Sequence, residues 1–494
     1  MGKVRQCLMK PDLAAPTGSE VFLFQKNNRG IYTMKYSRPV IQVEEKVPFL
    51  KALPLSFQHL FAMFSASVLV PFLFNSYAKD HFLSGLKLTV AQLNADQLAQ
   101  YNSIQVIDPA LVLLLNGIGT LLYLIICKGK APAFLGSSFA FLSPTAAIIQ
   151  ASADYADNFA KALGGYIACG IVFIIVALII GQVGTRWLDI VLPPAAMGPI
   201  VALIGLELSG TAAGMAKLFP NADGSFDTKG IIIALVTLGV LVIGNLCFRG
   251  FLSVIPILLA VIVGYGLSAA MGYVHYEKIV DATWLKLPDF VLPSFDIKAI
   301  MILAPAALVV LSEHIGHLFV TSNIVGRDLT KDPGLHRSLL GDGISTMLSG
   351  FCGSCPTTTY GENMGVMAIT KVYSVWVIGG AGVISIIIAF FGKLSGIISS
   401  IPEPVMGGVS LLLFGTIAAS GIRMIVEARI DYSKAKNLVL TALVFVIGIS
   451  GISINLGDKV QLKGMVLATL AGMILSLVFY ILEKLKLTND TDAA

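Results

Sequence analysis

One apolar stretch near the middle of the chain carries three ionisable side chains: Pro305-Ala-Ala-Leu-Val-Val-Leu-Ser-Glu313-His314-Ile-Gly-His317-Leu-Phe-Val. Glu313 and His317 are four residues apart, so on a helix they share one face. A carboxylate beside an imidazole can hold a polar ring and pass a proton. The competing reading is a structural ion pair that locks two helices. An ionisable group at the centre of a membrane helix costs about 2.5–3.5 kcal/mol on insertion scales, which makes several of them a mark of function.

A second polar segment, Thr357-Thr-Thr-Tyr360-Gly361-Glu362-Asn363-Met-Gly365, follows Pro356 and lies between apolar runs. It reads as an interrupted helix, whose unpaired backbone N–H groups and positive dipole end face the membrane midplane. Its counterpart in the first half is Gly136-Ser-Ser-Phe139-Ala-Phe-Leu-Ser-Pro144. If the two breaks face each other they form a site. Small residues here would alternatively serve close helix packing, a role that Glu362 argues against. A planar heterocycle with alternating N–H and C=O groups fits the donors and acceptors at hand. Glu313 and Glu362 accept from ring N–H, and backbone amides near Phe139 and Gly361 donate to ring C=O. Phe139, Phe141 and Tyr360 can stack on such a ring, although lone aromatics in membranes more often serve packing or lipid contact.

The elements that must position these groups are membrane helices. Hydrophobic residues make up 56% of the 494 and charged residues 13%, with mean hydropathy +0.82, whereas soluble domains carry about 25% charge. Apolar runs long enough to cross a hydrocarbon core recur over residues 53–482. Residues 167–180 and 230–246 are continuously apolar, without the alternation of barrel strands, so the class is all-α and polytopic. The first apolar run begins after about fifty mixed residues, which does not match the short layout of a cleaved signal peptide. The net charge of +5 is spread through loops, which argues against nucleic-acid binding. Cys352-Gly-Ser-Cys355 has metal or redox spacing but no second pair, and the reading calls for no metal and no cofactor. Nothing matches a phosphate-cradling Gly-x-x-x-x-Gly-Lys-Ser/Thr loop, so an ion gradient is the expected energy source.

Residues 1–50 are rich in Lys and Arg, while residues 76–108 hold only Lys79 and Lys87, which places the N-terminus in the cytoplasm. Later basic loops alternate with less basic ones, and an even count of fourteen spans fits. Leu192-Pro-Pro-Ala-Ala-Met-Gly198 matches Ile401-Pro-Glu-Pro-Val-Met-Gly407, and Ser56-Phe-Gln-His-Leu60 is similar to Leu311-Ser-Glu-His-Ile315. Two homologous halves of seven spans must enter the membrane in opposite orientation, an inverted repeat. The arm 1–50 and the polar insertion 77–106 carry no motif that can be assigned.

These segments resemble the nucleobase-ascorbate transporter family, also called nucleobase/cation symporter family 2. The run Glu362-Asn363-Met-Gly365-Val-Met-Ala-Ile-Thr370-Lys371 is similar to its signature, and Gln58-His59 to its first-helix motif. Within the family, Glu-His-Ile-Gly-His with Thr-Tyr-Gly-Glu-Asn looks like the bacterial uracil permeases. The resemblance implies a fourteen-helix 7+7 inverted repeat in which spans 3 and 10 are broken and carry short strands. It implies a core domain at 51–185 and 297–398 and a gate domain at 186–296 and 399–483, between a cytoplasmic arm (1–50) and a cytoplasmic tail (484–494). Carried over by motif, Glu313, Glu362, His317, Phe139, Gly361 and Tyr360 bind a pyrimidine, and Glu313, His317 and Glu362 couple it to protons. Gln58, His59, Asn363, Gly365 and Thr370 support them. The expected activity is uracil uptake by proton symport across the cytoplasmic membrane, by a homodimer in the lipid bilayer. Protons are favoured over sodium because the site offers groups whose charge can switch and no dedicated cluster of oxygen ligands. A sodium-coupled or purine/xanthine transporter is the alternative, followed by a channel or a membrane-embedded enzyme using the same acid-base groups.

Overall fold

The structure, a computed structural model, describes residues 21–26, 32–37, 40–88, 90–221, 224–249, 252–253, 255–274, 276–456 and 460–488. Much of the expected arm (1–20, 27–31 and 38–39) and of the tail (489–494) lies outside the described residues. The chain is mostly helical. Its main helices are α1 (Phe49–Leu86), α2 (Pro109–Ile126), α3 (Leu142–Ile149), α4 (Tyr155–Val183), α5 (Pro194–Met215), α6 (Thr228–Cys247) and α7 (Pro256–Ala270). The second half follows with α8 (Ile297–Val325), α9 (Leu335–Cys352), α10 (Gly361–Thr370), α11 (Val375–Ala389), α12 (Glu403–Glu427), α13 (Ala435–Ile449) and α14 (Gly464–Lys484).

Eight of these, α1, α2, α4, α5, α6, α8, α12 and α14, are long and apolar enough to cross a bilayer. With shorter apolar helices between them, they make the chain a multi-pass membrane protein. Residues 77–86 of the expected polar insertion continue α1, and a further short helix, Ala95–Ser103, opens on a capping box of Asn94 and Gln97.

Helix starts follow local chemistry. Asp108, Asp154, Asp227 and Asp296 each accept a first-turn backbone N–H at the heads of α2, α4, α6 and α8. Proline stands in the first turn of α2, α5, α7 and α12, where its missing N–H costs nothing.

Crossings rely on glycine, because lipid gives no hydrophobic reason for helices to associate and close backbone approach must do it. A Cβ on Gly421 of α12 would lie 2.5 Å from the Gly198 carbonyl of α5. A Cβ on Gly170 of α4 would lie 2.8 Å from the Gly343 carbonyl of α9. One on Gly117 of α2 would lie 2.5 Å from the Gly382 carbonyl of α11. The pairs α5–α12, α4–α9 and α2–α11 are thereby locked, and α6, α7, α13 and α14 pack around the first of them.

Strands are few. β1 (Val21–Lys26) pairs with β2 (Tyr32–Ser37), β3 (Leu135–Ser137) with β4 (Thr357–Thr359), and β5 (Ser453–Leu456) with β6 (Val460–Lys463), all antiparallel. Residues 41–43 run beside 371–375, with Ile41 N–H donating to the Lys371 carbonyl and Tyr373 N–H to the Ile41 carbonyl. There Arg327 donates to both oxygens of Glu44 at 2.6 and 2.8 Å, which holds that carboxyl below its usual value.

Candidate functional site

The β3–β4 pair sets the site. Leu135 faces Thr359, Gly136 faces Thr358 and Ser137 faces Thr357, so two segments more than 200 residues apart share three rungs. Two bonds extend the ladder: Ser138 N–H donates to the Pro356 carbonyl at 2.8 Å, and Tyr360 N–H to the Phe134 carbonyl at 3.3 Å. Gly136 is required here because a Cβ would strike the Tyr360 ring. Each strand runs at once into a short helical segment, β3 into the turn Phe139–Phe141 and then α3, and β4 into α10. The first N–H groups of such segments have no intrahelical partner and are free for a ligand.

These ends open on a cleft of about 430 Å³. Phe139, Tyr360, Gly361, Glu362 and Gly365 line it from the strand-and-helix side, and Glu313 and His317 line it from α8. Helices α5, α6, α7 and α12 close the opposite wall, contributing Val201, Leu241, Pro256 and Leu413. Glu313, His317, Phe139 and Tyr360 are buried, whereas Asn245, Ile369, Thr416 and Arg423 are exposed, so the cleft has a deep end and a mouth. One oxygen of Glu313 is buried without a hydrogen-bond partner in the protein, and a buried acceptor left this way invites a donor from a ligand. Glu362 sits in the first turn of α10, where the helix dipole favours a carboxylate.

The aromatic side chains are ordered around the deep end. The Phe139 and Tyr360 rings are nearly parallel, at 11° with centroids 6.4 Å apart, and Phe414 meets Phe139 edge-on at 5.8 Å. Tyr360 donates its hydroxyl proton to the Ser137 carbonyl at 3.0 Å, tying α10 back to β3. Phe141 turns away from the cleft and packs against Tyr166.

Behind the cleft stand the supporting residues. His59 on α1 donates from Nδ1 to Asn363 Oδ1 at 2.9 Å, and His59 Nε2 and Asn363 Nδ2 are buried without partners. Gln58 is buried beside His59. Thr370 accepts the Val372 N–H at 3.2 Å and so closes the end of α10.

Sequence reasoning missed a buried pair next to the site. His314 Nδ1 lies 3.1 Å from Asp342 Oδ2 of α9, and His314 Nε2 lies 2.8 Å from the Ser338 hydroxyl, itself 2.7 Å from the Tyr123 hydroxyl. The signal was an aspartate between two glycines, Gly341-Asp342-Gly343, in an apolar run. Asn245, Ser420 and Arg423 on the opposite wall were also missed, and nothing in their local sequence separates them from other helix positions.

Chemically the deep end offers two carboxylate acceptors, an imidazole, free backbone donors and parallel aromatic faces. It holds no nucleophile activated by a base, and the described residues include no cluster of three groups able to hold a metal ion.

Comparison with known proteins points one way. A profile of the Permease family, Xan_ur_permease, matches residues 50–457. The uracil permease of Escherichia coli (strain K12) is 52% identical over 91% of this chain and 96% of its own length. The uracil permease of Paenibacillus larvae subsp. larvae is 52% identical over 91% of this chain and 99% of its own. In fold, the chain is similar to the murine solute carrier 26 family member A9 anion transporter. That likeness has a TM-score of 0.63 at 10% identity and covers 89% of this chain and 69% of that one.

Proposed function

The chain belongs to the nucleobase-ascorbate transporter family, whose members here are permeases and not enzymes, and from that premise we propose that it imports uracil by proton symport. The observation that carries this reading is one cleft holding Glu313 and Glu362 beside the free N–H groups that follow β3 and β4. Uracil presents two ring N–H donors and two C=O acceptors. Glu362 accepts from the ring, the backbones at Phe139 and Gly361 donate to its carbonyls, and Phe139 and Tyr360 cover its faces. Glu313 and His317 complete the contacts and carry the coupled proton.

The architecture proposed with it is a fourteen-span inverted repeat of seven and seven. The eight long helices supply most of it, α7, α9, α10, α11 and α13 supply five more, and β3 with α3 supplies the broken third span. The core domain comprises residues 51–185 and 297–398, and the gate domain residues 186–296 and 399–483. The core rocks against the gate to expose the cleft to each side in turn. Homodimerisation through the gate domain, location in the cytoplasmic membrane and cytoplasmic termini belong to the same proposal. With the basic loops inside, the mouth at Arg423 faces the cytoplasm.

Uptake of radiolabelled uracil into proteoliposomes of the purified protein, in sodium-free buffer, tests the reading. Accumulation only with an inward proton gradient supports it. Accumulation that needs sodium transfers the coupling to that ion, and uptake of xanthine instead of uracil transfers the substrate class.

A further inference from the structure

The cleft ends blind, and a group of charges sits beyond that end. Along α12 the cleft is lined from Leu412 to Arg423, whereas Glu403 lies nine residues before Leu412, about 13 Å along the axis. On α1 the lining residue is Ala62, and Ser76 lies about 21 Å further along. On α5 it is Val201, and Lys217 follows the far end of the helix.

Three helices thus run away from the cleft and meet in one cluster. Lys217 donates to Glu403 Oε2 at 2.6 Å, and Ser76 donates to Glu403 Oε1 at 3.3 Å. Asp80, one turn beyond Ser76, lies within electrostatic reach of Glu403 and Lys217. Tyr77, next to Ser76, lies near Thr211 of α5. On the remaining side Asp227 adds charge near Lys217 and accepts the Tyr273 hydroxyl proton at 2.5 Å. Lys217, with Lys79 of α1 also near Asp80 and Glu403, is therefore a cation among three carboxylates drawn from both sides of the cleft.

We propose that Lys217 and Glu403, joined by Ser76 and Asp80 of α1, form an ionic latch that seals the blind end of the cleft and opens once in each transport cycle. This inference rests on the alternating-access reading above. The pair stands where α1, on the proposed core side, meets α5 and α12 on the gate side, so separating those bodies at this end must break Ser76–Glu403 and part Tyr77 from Thr211. The repeat itself breaks symmetry here. Glu403 holds the place that Pro194 holds in the matching first-half motif, and proline brings no charge. The inverted repeat consequently carries the latch at one end and not at the other. Lys217 and Glu403 side chains are about 30% and 27% exposed, which leaves water close enough to solvate the charges once they part.

Two measurements in proteoliposomes test it. In the first, Tyr77→Cys and Thr211→Cys are bridged by a short bismaleimide. Bridging should cut uracil uptake at least tenfold, while each single variant with the same reagent keeps it. A bridged protein that still accumulates uracil overturns the reading that this end opens.

In the second, Ser76→Cys is labelled with a membrane-impermeant maleimide, against the parent chain to subtract exposed Cys247. Lys217→Glu or Glu403→Lys should speed labelling roughly fivefold, the factor that about 1 kcal/mol gives, and the double exchange should return it to the parent rate. If the reversals do not reach the membrane, Lys217→Gln and Glu403→Gln give the same readout with a smaller change. Unchanged labelling in the single variants, or a double exchange as fast as either, overturns the latch even where bridging blocks uptake.

Discussion

His317 Nδ1 lies 2.7 Å from the Thr359 carbonyl oxygen, and because a carbonyl can only accept, the imidazole proton must sit on Nδ1. That bond ties α8 to the last residue of β4. It leaves Nε2 with a lone pair near Gly361, where an added Cβ would lie 3.6 Å from it. A ring held in this tautomer keeps Nε2 turned toward Gly361, so one contact positions this face of α8 against the end of β4.

The first prediction concerns that ring. His317→Leu should abolish proton-driven accumulation of uracil while keeping a measurable part of uracil-for-uracil exchange, which needs no net proton movement. Comparing the two fluxes in the same liposomes checks it. Equal loss of both would make His317 a binding residue alone.

Glu362→Gln should weaken uracil binding by roughly 10- to 100-fold, the range for losing a hydrogen bond to a charged partner. An amide has one acceptor oxygen where the carboxylate has two. Equilibrium binding of labelled uracil to detergent-solubilised protein measures this, and wild-type affinity would remove Glu362 from the site.

Glu313→Ala should eliminate both binding and transport, because it removes a buried acceptor from the deep end of the cleft. An unchanged dissociation constant in the same binding assay would move the site elsewhere.

Asp342→Ala should lower the melting temperature by roughly 5–10 °C, since it leaves His314 buried beside an empty place. Asp342 does not itself line the cleft, so uracil added at saturating concentration should still raise the melting temperature of this variant. Loss of that ligand-dependent rise would assign Asp342 to binding.

Gly421→Val tests the α5–α12 crossing. The new side chain would enter the space of the Gly198 carbonyl and the Ala202 backbone, and packed helices cannot absorb it without moving apart. Yield of folded, monodisperse protein should fall, whereas Gly415→Ala, with open space beside it, should behave as the parent.

Much of this was legible in the residues. Helical periodicity is a local property, so the shared face of Glu313 and His317 followed from a spacing of four. The polar runs at Gly136 and Thr357 stood out because polar backbone in an apolar chain needs a reason. The aspartates that open α2, α4, α6 and α8 follow equally local rules.

What only the tertiary structure decided depends on contacts between distant segments. Pairing of Gly136 with Thr358 brings Phe139 and Glu362 to one cleft, and no short-range pattern specifies that register. Asp342 meets His314 where α9 packs against α8, and Glu403 meets Lys217 and Ser76 because α5, α12 and α1 converge. By itself the sequence determined a helical membrane chain, its family and the acid-base groups of its cleft, since composition, periodicity and motif are carried along the chain. The partners of those groups, the opposite wall at Asn245 and Arg423 and the sealed end were decided by packing, because helix association in lipid depends on which small residues meet across space.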